Sequence, residues 1–527
     1  MYVRVKRFRN KDGSVREYLY IVKGVRVDGR PRQKVVAYLG RLDELQREGA
    51  IDSLVEGLAR YARRAQVMDV ARDLFVHAAR EYGPVLVFKR LWEELGLGEL
   101  LSGYVAERGF EFDVVAAIFA MVLNRLLSPC SKLGVSRWVQ EVEEPSFASL
   151  SLHHFYRALD VLWEYKEPLE EGLFWRRRDL FSQEVDLVFF DTTTVSFQGE
   201  GPEGLAEYGY SRDRRPDLKQ IVVAVAMTRG GMPIAHEVFP GATSDVKGFA
   251  QVISSLKARF PIGRVIVVSD RGTVSGENLR LLSSLGLSYI VGVRMRRVRE
   301  VEREILSRPG RYRKVTEDLK VKEVCYQGKR YIVCLNEEEA ERDRKAREEM
   351  VERMREKLSR GGLKALVGNR GLRKYLRISG EKVEIDEGVL KREARYDGKY
   401  VLLTDSDLPA EEVALAYRGL WRVEAAFREL KDQLEMGPIY HWTEPRVRAH
   451  VAVCFLALLL EVELERRIKE LGVGASFREV LRDLKRVKAV HLEVKGKQYL
   501  ARTELVGQAY QGFRAAGVAV PPQVVEL

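Results

Sequence analysis

A carboxylate, an aromatic ring and a lysine are evenly spaced in the segment 417–431. Glu424 lies seven residues after Tyr417 and seven residues before Lys431. The segment predicts a helix, because its apolar residues recur at three- and four-residue steps. Seven residues fall about 20° short of two full helical turns, so all three side chains would lie on one face. A carboxylate placed between an aromatic ring and a cation could hold a metal ion beside a phosphate backbone. The apolar residues of the segment are Leu420, Val423, Phe427 and Leu430.

Two upstream aspartates could complete a metal site with Glu424. The apolar segment 186–191 ends in Asp191, and the segment 264–270 ends in Asp270. Continuous apolar runs of this kind predict strands that are buried on both faces. An Asp at the carboxyl end of such a strand lies at the sheet edge where α/β folds bind ligands. Two strand-end aspartates and one helical glutamate can hold two divalent cations about 4 Å apart, as in-line phosphoryl displacement requires.

Cations and aromatic residues are concentrated near these carboxylates. Guanidinium groups bind phosphates bidentately, and aromatic rings stack on exposed bases. Arg271, next to Asp270, is a further candidate for a phosphate contact. The loop 208–219 is alternatively an ordinary exposed charged loop, and Trp421 is alternatively a core residue. The candidate residues of the loop are Tyr210, Arg212, Arg214, Arg215 and Lys219, preceded by Tyr208.

The composition describes a protein with a strongly basic surface. The chain has 527 residues, with 46% hydrophobic and 31% charged residues, a net charge of +12 and a pI of about 9.3. The length predicts two to four domains. A basic chain is compatible with nucleic acid or with an anionic membrane surface. The first 40 residues hold eleven Lys or Arg residues against three acids. This concentration favours a DNA-contacting module over a solvated sheet face that merely discourages edge pairing.

Several classes of site and location are disfavoured. Cys130, Cys325, Cys334 and Cys454 show no CxxC pairing, and the seven histidines have no zinc-type spacing. The apolar run 451–460 is about half the length needed to span a bilayer, so we expect a buried helix and no membrane association. The basic N-terminus has no apolar stretch after it, which argues against a signal peptide. We therefore expect a cytoplasmic protein, which is nucleoid-associated when it is bound to DNA.

The chemistry-bearing residues resemble a known family. Asp191, Asp270 and Glu424 are similar to the D-D-E triad of transposases from bacterial and archaeal insertion sequences. The helix resembles the Y-R-E-K signature of the insertion-sequence-four family, which has Tyr, two residues, Arg, three residues, Glu, six residues and Lys. Tyr417, Glu424 and Lys431 stand at matching positions, whereas Leu420 stands at the Arg position. Arg418 and Arg422 lie two residues to either side of it. Further resemblance covers the segments 124–132, 209–220, 243–245 and 437–442.

The resemblance implies a fold that agrees with the order of predicted elements. Strands are predicted at 186–191, 220–229, 232–239, 264–270 and 288–294, with helices at 246–259 and 275–285. The predicted fold class is α/β, with a ribonuclease H-like catalytic core interrupted by a mostly β insertion, a basic N-terminal β module and a helical domain. The predicted divisions are a β module (1–42), a helical domain (43–183), the first part of the core (184–296), the insertion (297–408), the second part of the core with Glu424 (409–472) and a C-terminal tail (473–527).

The resemblance also implies an activity. It predicts a DNA transposase that binds inverted-repeat ends and uses two Mg²⁺ or Mn²⁺ ions, held by Asp191, Asp270 and Glu424, for cleavage and strand transfer. Tyr417, Arg422 and Lys431 would contact DNA phosphate. The expected partners are double-stranded DNA, both transposon ends and target, and a second copy of the chain on paired ends. The alternatives are an inactive or domesticated DNA-binding descendant and another ribonuclease H-like nuclease.

Overall fold

The computed structural model describes most of the chain in two compact units. The described residues are 1–27, 30–62, 70–181, 187–260, 266–270, 275–298, 300–359, 369–379 and 382–527. The first unit contains Met1–Ala78, Val490–Ala501 and Pro522–Leu527, and the second contains Ala79–Ala489 and Arg502–Pro521. The position predicted for Arg271 lies outside the described residues.

The first unit begins with the β meander that the alternating N-terminal sequence predicts. Strands β1 (Tyr2–Arg9), β2 (Val15–Val27) and β3 (Arg30–Arg41) form an antiparallel sheet in that order. Short helices follow as α1 (Leu42–Arg47), α2 (Ala50–Ala59) and α3 (Val70–Asp73). A second sheet has the order β18–β17–β16–β4 and consists of β4 (Leu74–Glu81), β16 (Lys488–Val494), β17 (Lys497–Arg502) and β18 (Val524–Glu526).

Helices dominate the first hundred residues of the second unit. The sequence specifies several of their starts, because Asp113 accepts a hydrogen bond from the Ala116 amide and Ser151 forms a capping box with His154. The helices are α4 (Gly83–Glu94), α5 (Leu97–Val105), α6 (Val114–Leu127), α7 (Lys132–Trp138), α8 (Leu152–Glu164) and α9 (Lys166–Phe181).

A nine-stranded mixed sheet forms the centre of the second unit. Its strand order is β10–β11–β12–β15–β9–β8–β5–β6–β7. Strands β5, β8 and β9 are parallel, and the outer strands are antiparallel. The strands are β5 (Leu187–Ser196), β6 (Gln220–Thr228), β7 (Pro233–Pro240), β8 (Ile266–Ser269), β9 (Ser288–Val293), β10 (Arg313–Lys314), β11 (Leu319–Tyr326), β12 (Lys329–Asn336) and β15 (Lys399–Thr404).

The segment predicted as an insertion adds strands to this same sheet. β15 pairs with β9 on one side and with β12 on the other, so β10–β12 continue the sheet outward. A separate hairpin consists of β13 (Leu376–Ser379) and β14 (Lys382–Ile385). The charged stretch 337–359 forms one helix, in which only Val351 and Met354 are buried. The helices of this segment are α12 (Glu337–Ser359), α13 (Arg370–Arg373) and α14 (Glu387–Glu393).

Helices cover both faces of the nine-stranded sheet. One face packs against α10 (Asp245–Arg259) and α11 (Gly276–Ser284) through a core that includes Phe190 and Val267. The other packs through Phe189 and Val268 against a larger core. That core includes α15 (Ala410–Arg418), α16 (Trp421–Asp432) and α17 (Glu444–Glu470). The last two helices are α18 (Phe477–Leu484) and α19 (Ala509–Ala515).

Helix α17 is the longest helix of the second unit's larger core, and its middle is buried. It packs against α4, α6, α8, α16, α18, α19 and β7, and every residue from Val447 to Glu461 except Arg448 is buried. The run 451–460 therefore lies in a protein core, as predicted. Within the described ranges no single helix is long and apolar enough to cross a membrane. The helix pair Val114–Leu127 and Lys132–Glu141, bent by 94°, meets the criteria of length and composition alone.

A buried ionic cluster connects α9 with β7 and α10. Glu170 is 3% exposed and lies 3.2 Å from Lys166, 2.8 Å from the Nδ1 of His236 and 2.8 Å from Arg259. Burial alone would raise the pKa of Glu170, but the surrounding Lys166, His236 and Arg259 outweigh it and lower the pKa to about 2. Burial lowers the pKa of His236. Glu170 is therefore ionised at neutral pH and pairs with the cations of Lys166 and Arg259.

Candidate active site

The structure places Asp191 and Asp270 side by side. In the parallel pair of β5 and β8, Phe190 stands opposite Ser269. Asp191 and Asp270 are the next residues of the two strands, and neighbouring strands lie about 4.8 Å apart. The two carboxylates therefore come together at the carboxyl end of β8.

Asp191 is not at the end of its own strand, which corrects the sequence prediction. β5 continues to Ser196, because β6 pairs with it from Val188 to Ser196. Its extension consists largely of β-branched residues, which favour a strand. The apolar run ends at Phe190, and that ending had suggested a strand terminus. The partner β8, however, does end at Ser269, so the sheet opens beside Asp191.

The side chains of Asp191 and Asp270 are predicted by strand alternation to lie on the sheet face that packs against α15 and α16. Side chains alternate along a strand, and Phe189 and Val195 of β5 belong to the core shared with these helices. Ile266 and Val268 of β8 belong to the same core. The Tyr417 hydroxyl of α15 donates a hydrogen bond of 3.0 Å to Asp270, which places Asp270 against this helix layer.

The loop before β6 is anchored next to Asp191. The Asp191 carboxylate accepts a hydrogen bond of 2.7 Å from the Thr192 amide and lies 3.6 Å from the Arg212 guanidinium. Arg212 also donates to the hydroxyl of Thr192 at 2.7 Å, and its amide donates to the hydroxyl of Thr194 at 3.0 Å. The three threonines after Asp191 thus serve two purposes, since they extend the strand and fix an arginine beside the carboxylate.

A cavity of about 490 Å³ opens next to Asp270. Tyr417 and Tyr400 line it on one side, and Arg347 of α12 and Tyr375 line it on another. The segment predicted as an insertion therefore supplies part of the wall around the candidate site.

The helix predicted from 417 to 431 is broken into two helices. α15 ends at Arg418 and α16 begins at Trp421, and the amides of Leu420, Arg422 and Val423 donate to carbonyls three residues back. This tighter turn shifts the register, so the seven-residue spacing no longer places Tyr417 and Glu424 on one helical face. Leu420, at the family's Arg position, is 5% exposed and belongs to the core.

The two arginines beside Leu420 have separate partners. Arg418 donates to Thr316 and to the Asp318 carboxylate. The hydrogen bonds that Asp318 accepts from Arg418 and from the Thr316 hydroxyl lower its pKa to about 2. Arg422 donates to the carbonyl of Arg229 in the β6–β7 turn. Both guanidinium groups thus hold α15 and α16 to neighbouring segments of the core.

Gly419 lets the break between the helices approach β5. A Cβ at this position would lie 2.6 Å from the Cζ of Phe189 and 3.0 Å from the carbonyl oxygen of Ala416.

We expect Gly419→Ala to lower the free energy of unfolding by about 1–3 kcal/mol, because overpacking must displace a core ring or the helix. DNA cleavage should fall as well, since α16 carries Glu424. Chemical denaturation checks the first effect, and Gly276→Ala, where a Cβ meets nothing within 4 Å, is the matched control. Equal stability of the two variants would contradict this account of the contact.

Glu424 is exposed near the start of α16, on the side away from the buried Val423, Phe427 and Leu430. Over the described ranges, no group of three or more His, Cys, Asp or Glu side chains is arranged to hold a metal ion. The structure thus brings Asp191 and Asp270 together and leaves Glu424 outside that pair. Carboxylates are the oxygen ligands that Mg²⁺ and Mn²⁺ prefer, so the paired aspartates fit such an ion chemically.

The predicted phosphate-binding side chains have acidic partners within the chain. Lys431 lies 2.6 Å from Asp213, Arg215 2.7 Å from Asp217 and Lys219 2.6 Å from Glu200. Exposed ion pairs of this kind contribute little, typically about 0–1 kcal/mol, so phosphate can replace the carboxylate. In the same loop Tyr210 is 86% exposed, and Arg214 has a φ of 58°. The sequence analysis did not identify Asp213 as the partner of Lys431, because the two are far apart in the chain.

A second cavity lies beside α16, on a side of the helix that does not include Glu424. No sequence pattern indicated it. Its volume is about 250 Å³, and Trp421, Glu429, Glu461 and Arg478 are among its lining residues. Glu461 is 5% exposed, and its Oε2 has no hydrogen-bond partner among the described residues. Burial, with the neighbouring carboxylates of Glu429 and Glu465, raises the pKa of Glu461 to about 8.

The raised pKa of Glu461 predicts a pH-dependent stability difference. The unfolded carboxyl loses its proton near pH 4.5 and the folded one near pH 8, so wild-type stability falls between these values. We expect Glu461→Gln, which cannot ionise, to be more stable than wild type at pH 9 by on the order of 2 kcal/mol. The difference should shrink towards pH 5. Denaturation midpoints against pH check this, with the exposed Glu470→Gln of the same helix as the control. A difference independent of pH would show that Glu461 ionises normally.

Comparison with known proteins identifies the class. The family profile of the transposase DDE domain matches residues 183–460, which is more than half of the chain and includes Asp191, Asp270 and Glu424. The chain therefore belongs to the DDE transposases, enzymes that act on DNA and generally use divalent metal ions. Residues 3–71 match the N-terminal domain of IS1634 family transposases. The IS1634 family is distinct from the insertion-sequence-four family that the helix signature resembles.

One similar solved structure is the cryo-EM structure of the piggyBac transposase synaptic complex with hairpin DNA. It is 10% identical in sequence, with a TM-score of 0.38, over 76% of this chain and 79% of that chain. No curated protein matches the chain.

Proposed function

We propose that this transposase cuts DNA at the inverted-repeat ends of its own element and joins the freed ends to target DNA. Asp191, Asp270 and Glu424 would be the metal-binding carboxylates of a ribonuclease H-like core interrupted between β9 and α15. The observation that carries the proposal is the register of β5 and β8, in which Phe190 stands opposite Ser269 and each is followed by an aspartate, Asp191 and Asp270. The packing of α16 against β5 supports Glu424 as the third carboxylate.

The chain's own residues would orient the reacting groups. The hydroxyl of Tyr417 fixes the direction of the Asp270 carboxylate, and Arg212 places a cation beside Asp191. Glu424, exposed at the start of α16, would join the aspartates when DNA binds. Two divalent cations, Mg²⁺ or Mn²⁺, would supply charge stabilisation at the phosphoryl group and a water of lowered pKa.

The proposed steps need no nucleotide cofactor. In cleavage, a water oxygen bonds to the phosphorus at the element end, and the bond from that phosphorus to the 3′ oxygen breaks. The leaving oxygen takes a proton and becomes a 3′-hydroxyl. In joining, this hydroxyl loses its proton and attacks a phosphorus of the target strand, and the target's own 3′ oxygen leaves. Each step replaces one phosphorus–oxygen bond with another.

The cations around the site would hold the DNA backbone. Lys431, Arg215 and Lys219 can exchange their exposed acidic partners for phosphates, and Tyr210 offers an open ring for a base. The other proposed DNA-contacting residues are Tyr417, Arg212, Arg214, Arg271 and Arg422. A homodimer on two paired ends, working in the cytoplasm, is the proposed assembly.

Cleavage of a labelled DNA end tests the proposal. The substrate is a duplex with the element's own terminus and flank, incubated with Mg²⁺, Mn²⁺ or EDTA. We expect metal-dependent nicking by the wild type and a loss of about a thousandfold in Glu424→Gln, since metal coordination supplies several kcal/mol of the barrier reduction. Glu412→Gln, also exposed but on α15, is the matched control. End binding without cleavage under any metal would favour a DNA-binding descendant instead, and cleavage without strand transfer would favour a nuclease.

A further inference from the structure

One face of the N-terminal sheet carries a continuous row of aromatic rings. In the β1–β2 register, Lys6 stands opposite Tyr18 and Phe8 opposite Arg16, and Tyr20 stands opposite Tyr38 of β3. Side chains of equal parity share a face. We call this the aromatic face, and it consists of Tyr2, Arg4, Lys6, Phe8, Arg16, Tyr18, Tyr20, Val22, Gln33, Val35, Tyr38 and Arg41.

The rings of the aromatic face contact one another across all three strands. Their centroids are 5.6 Å apart for Phe8 and Tyr18, 6.0 Å for Tyr18 and Tyr38, and 5.2 Å for Tyr20 and Tyr38. Tyr38 is 56% exposed and Phe8 is 50% exposed. Large exposed rings in one row are unusual on a soluble surface and indicate a binding site.

Cations are interleaved with these rings, and acids reach the face at one end, where Arg41, opposite Tyr18, pairs with Asp43 and Glu44. The Lys6 ammonium lies 4.8 Å from the centroid of Tyr20. Arg4 donates to Gln33, and Gln33 in turn donates to the Tyr2 hydroxyl, so polar side chains bridge β1 and β3. Within β1–β3 the one acidic residue is Glu17, which lies on the opposite face and pairs with Arg7.

The face of the sheet opposite the aromatic face packs against helix α1. α1 packs against β2 and β3, with Leu45 in contact with the position of Gly40, which pairs with Leu19. Leu19 is accordingly buried. The sheet thus has one face partly covered by its own helix and an aromatic face on which Tyr2, Phe8 and Tyr38 are exposed and Val22 is buried.

The chemistry of the aromatic face fits unpaired bases better than a duplex. In a duplex the base faces are stacked on each other, and only base edges and phosphates are accessible. Exposed ring faces gain nothing from such a partner. An unpaired strand offers both parts, since its bases stack on aromatic rings while its phosphates meet cations.

We propose that the aromatic face binds an unpaired DNA strand, with bases stacked on Phe8, Tyr18 and Tyr38 and phosphates bound by Arg4, Lys6 and Arg16. The ligand class rests on the proposed function, in which element ends are opened and joined. The site itself is separate from the carboxylates of the second unit.

Binding by the full chain in EDTA, where cleavage is blocked, tests the proposal. The probe is an oligonucleotide with 2-aminopurine, as a single strand and as the matching duplex. Stacking should quench the single strand's fluorescence. Tyr38→Ala should weaken single-strand binding about fivefold or more, since stacking contributes about 1–3 kcal/mol per base. Duplex binding should be unchanged.

Three variants make the outcome specific. Tyr38→Phe keeps a ring and should bind as wild type, which also controls for folding of the sheet. Tyr61→Ala removes a tyrosine that is 89% exposed outside the sheet and should have no effect. Asp191→Asn should keep single-strand binding, so a failure of the catalytic proposal is distinguishable from a failure here. Duplex binding that falls equally in Tyr38→Ala, or single-strand binding that does not change, overturns the proposal.

Discussion

Replacing Asp191 or Asp270 by Asn should reduce cleavage of a DNA end by about a thousandfold or more, since each variant would lose a charge proposed to bind metal and every 1.36 kcal/mol is a factor of ten. The substitutions preserve shape. The Asn oxygen can still accept from the Thr192 amide at position 191 and from the Tyr417 hydroxyl at position 270. Folding and DNA binding should therefore stay close to those of the wild type. Single-turnover cleavage in Mg²⁺, together with an equilibrium binding titration in EDTA, measures both quantities.

Asp160→Asn is the matched control, because Asp160 is an exposed aspartate paired with Arg446 away from β5 and β8. It should cleave as the wild type does. If Asp191→Asn and Asp270→Asn both retain cleavage within a factor of ten, the paired aspartates are structural and the catalytic carboxylates lie elsewhere. If only one of them retains it, the two-carboxylate register is not the basis of the site.

Replacing Glu170 by Ala should lower the free energy of unfolding of the second unit by about 3–5 kcal/mol, the usual cost of removing one partner from a buried ion pair. Lys166, Arg259 and His236 would then lose the buried carboxylate that all three share, and the more exposed Glu171 and Glu237 would remain beside Lys166 and Arg259. The thermal midpoint at pH 7 measures the effect. Glu338→Ala, which removes an exposed pair with Arg342 on α12, should change stability by about 0.5 kcal/mol or less.

The contribution of Glu170 also has a defined pH dependence. Its folded pKa of about 2 lies below the usual value of 4.5, so its stabilisation is fully present above pH 4.5 and is lost as pH falls towards 2. The gap between wild type and Glu170→Ala should accordingly narrow on acidification below pH 4.5. A gap that stays constant down to pH 2.5 would show that packing, and not charge, accounts for the loss.

The sequence predicted most elements of the second unit closely, because its strands are apolar and its helices have clear caps. β9 begins at Ser288, and α10 and α11 lie within one residue of the predicted helices 246–259 and 275–285. Where prediction failed, long-range pairing decided the outcome. Antiparallel β6 extends β5 past Asp191, and β15 pairs with β9 after more than a hundred intervening residues. No local pattern records such partners.

The candidate site was predictable in its residue types but not in its contacts. The ends of the apolar runs and the helix signature proposed Asp191, Asp270 and Glu424, although β5 continues past Asp191 to Ser196. The hydrogen bond from Tyr417 to Asp270 joins residues 147 positions apart, and Gly419, at the break between the helices, lies against the ring of Phe189. Both require the folded sheet, since the sequence of the helix alone predicts an unbroken one.

The burial of α17 has a consequence for the order in which the chain is made. Synthesis runs from the N-terminus and domains tend to fold as units, yet α6, α8 and β7 all pack against this helix near the end of the second unit. Until Leu464 has left the ribosome, the apolar surfaces of α6, α8 and β7 that pack against α17 remain exposed. A prematurely terminated copy that stops before residue 444 lacks α17, so these apolar surfaces would stay exposed. We expect such a copy to aggregate or to be degraded. Damaged copies of the element would thus produce no competing, partly folded enzyme, because a helix that emerges late completes the core.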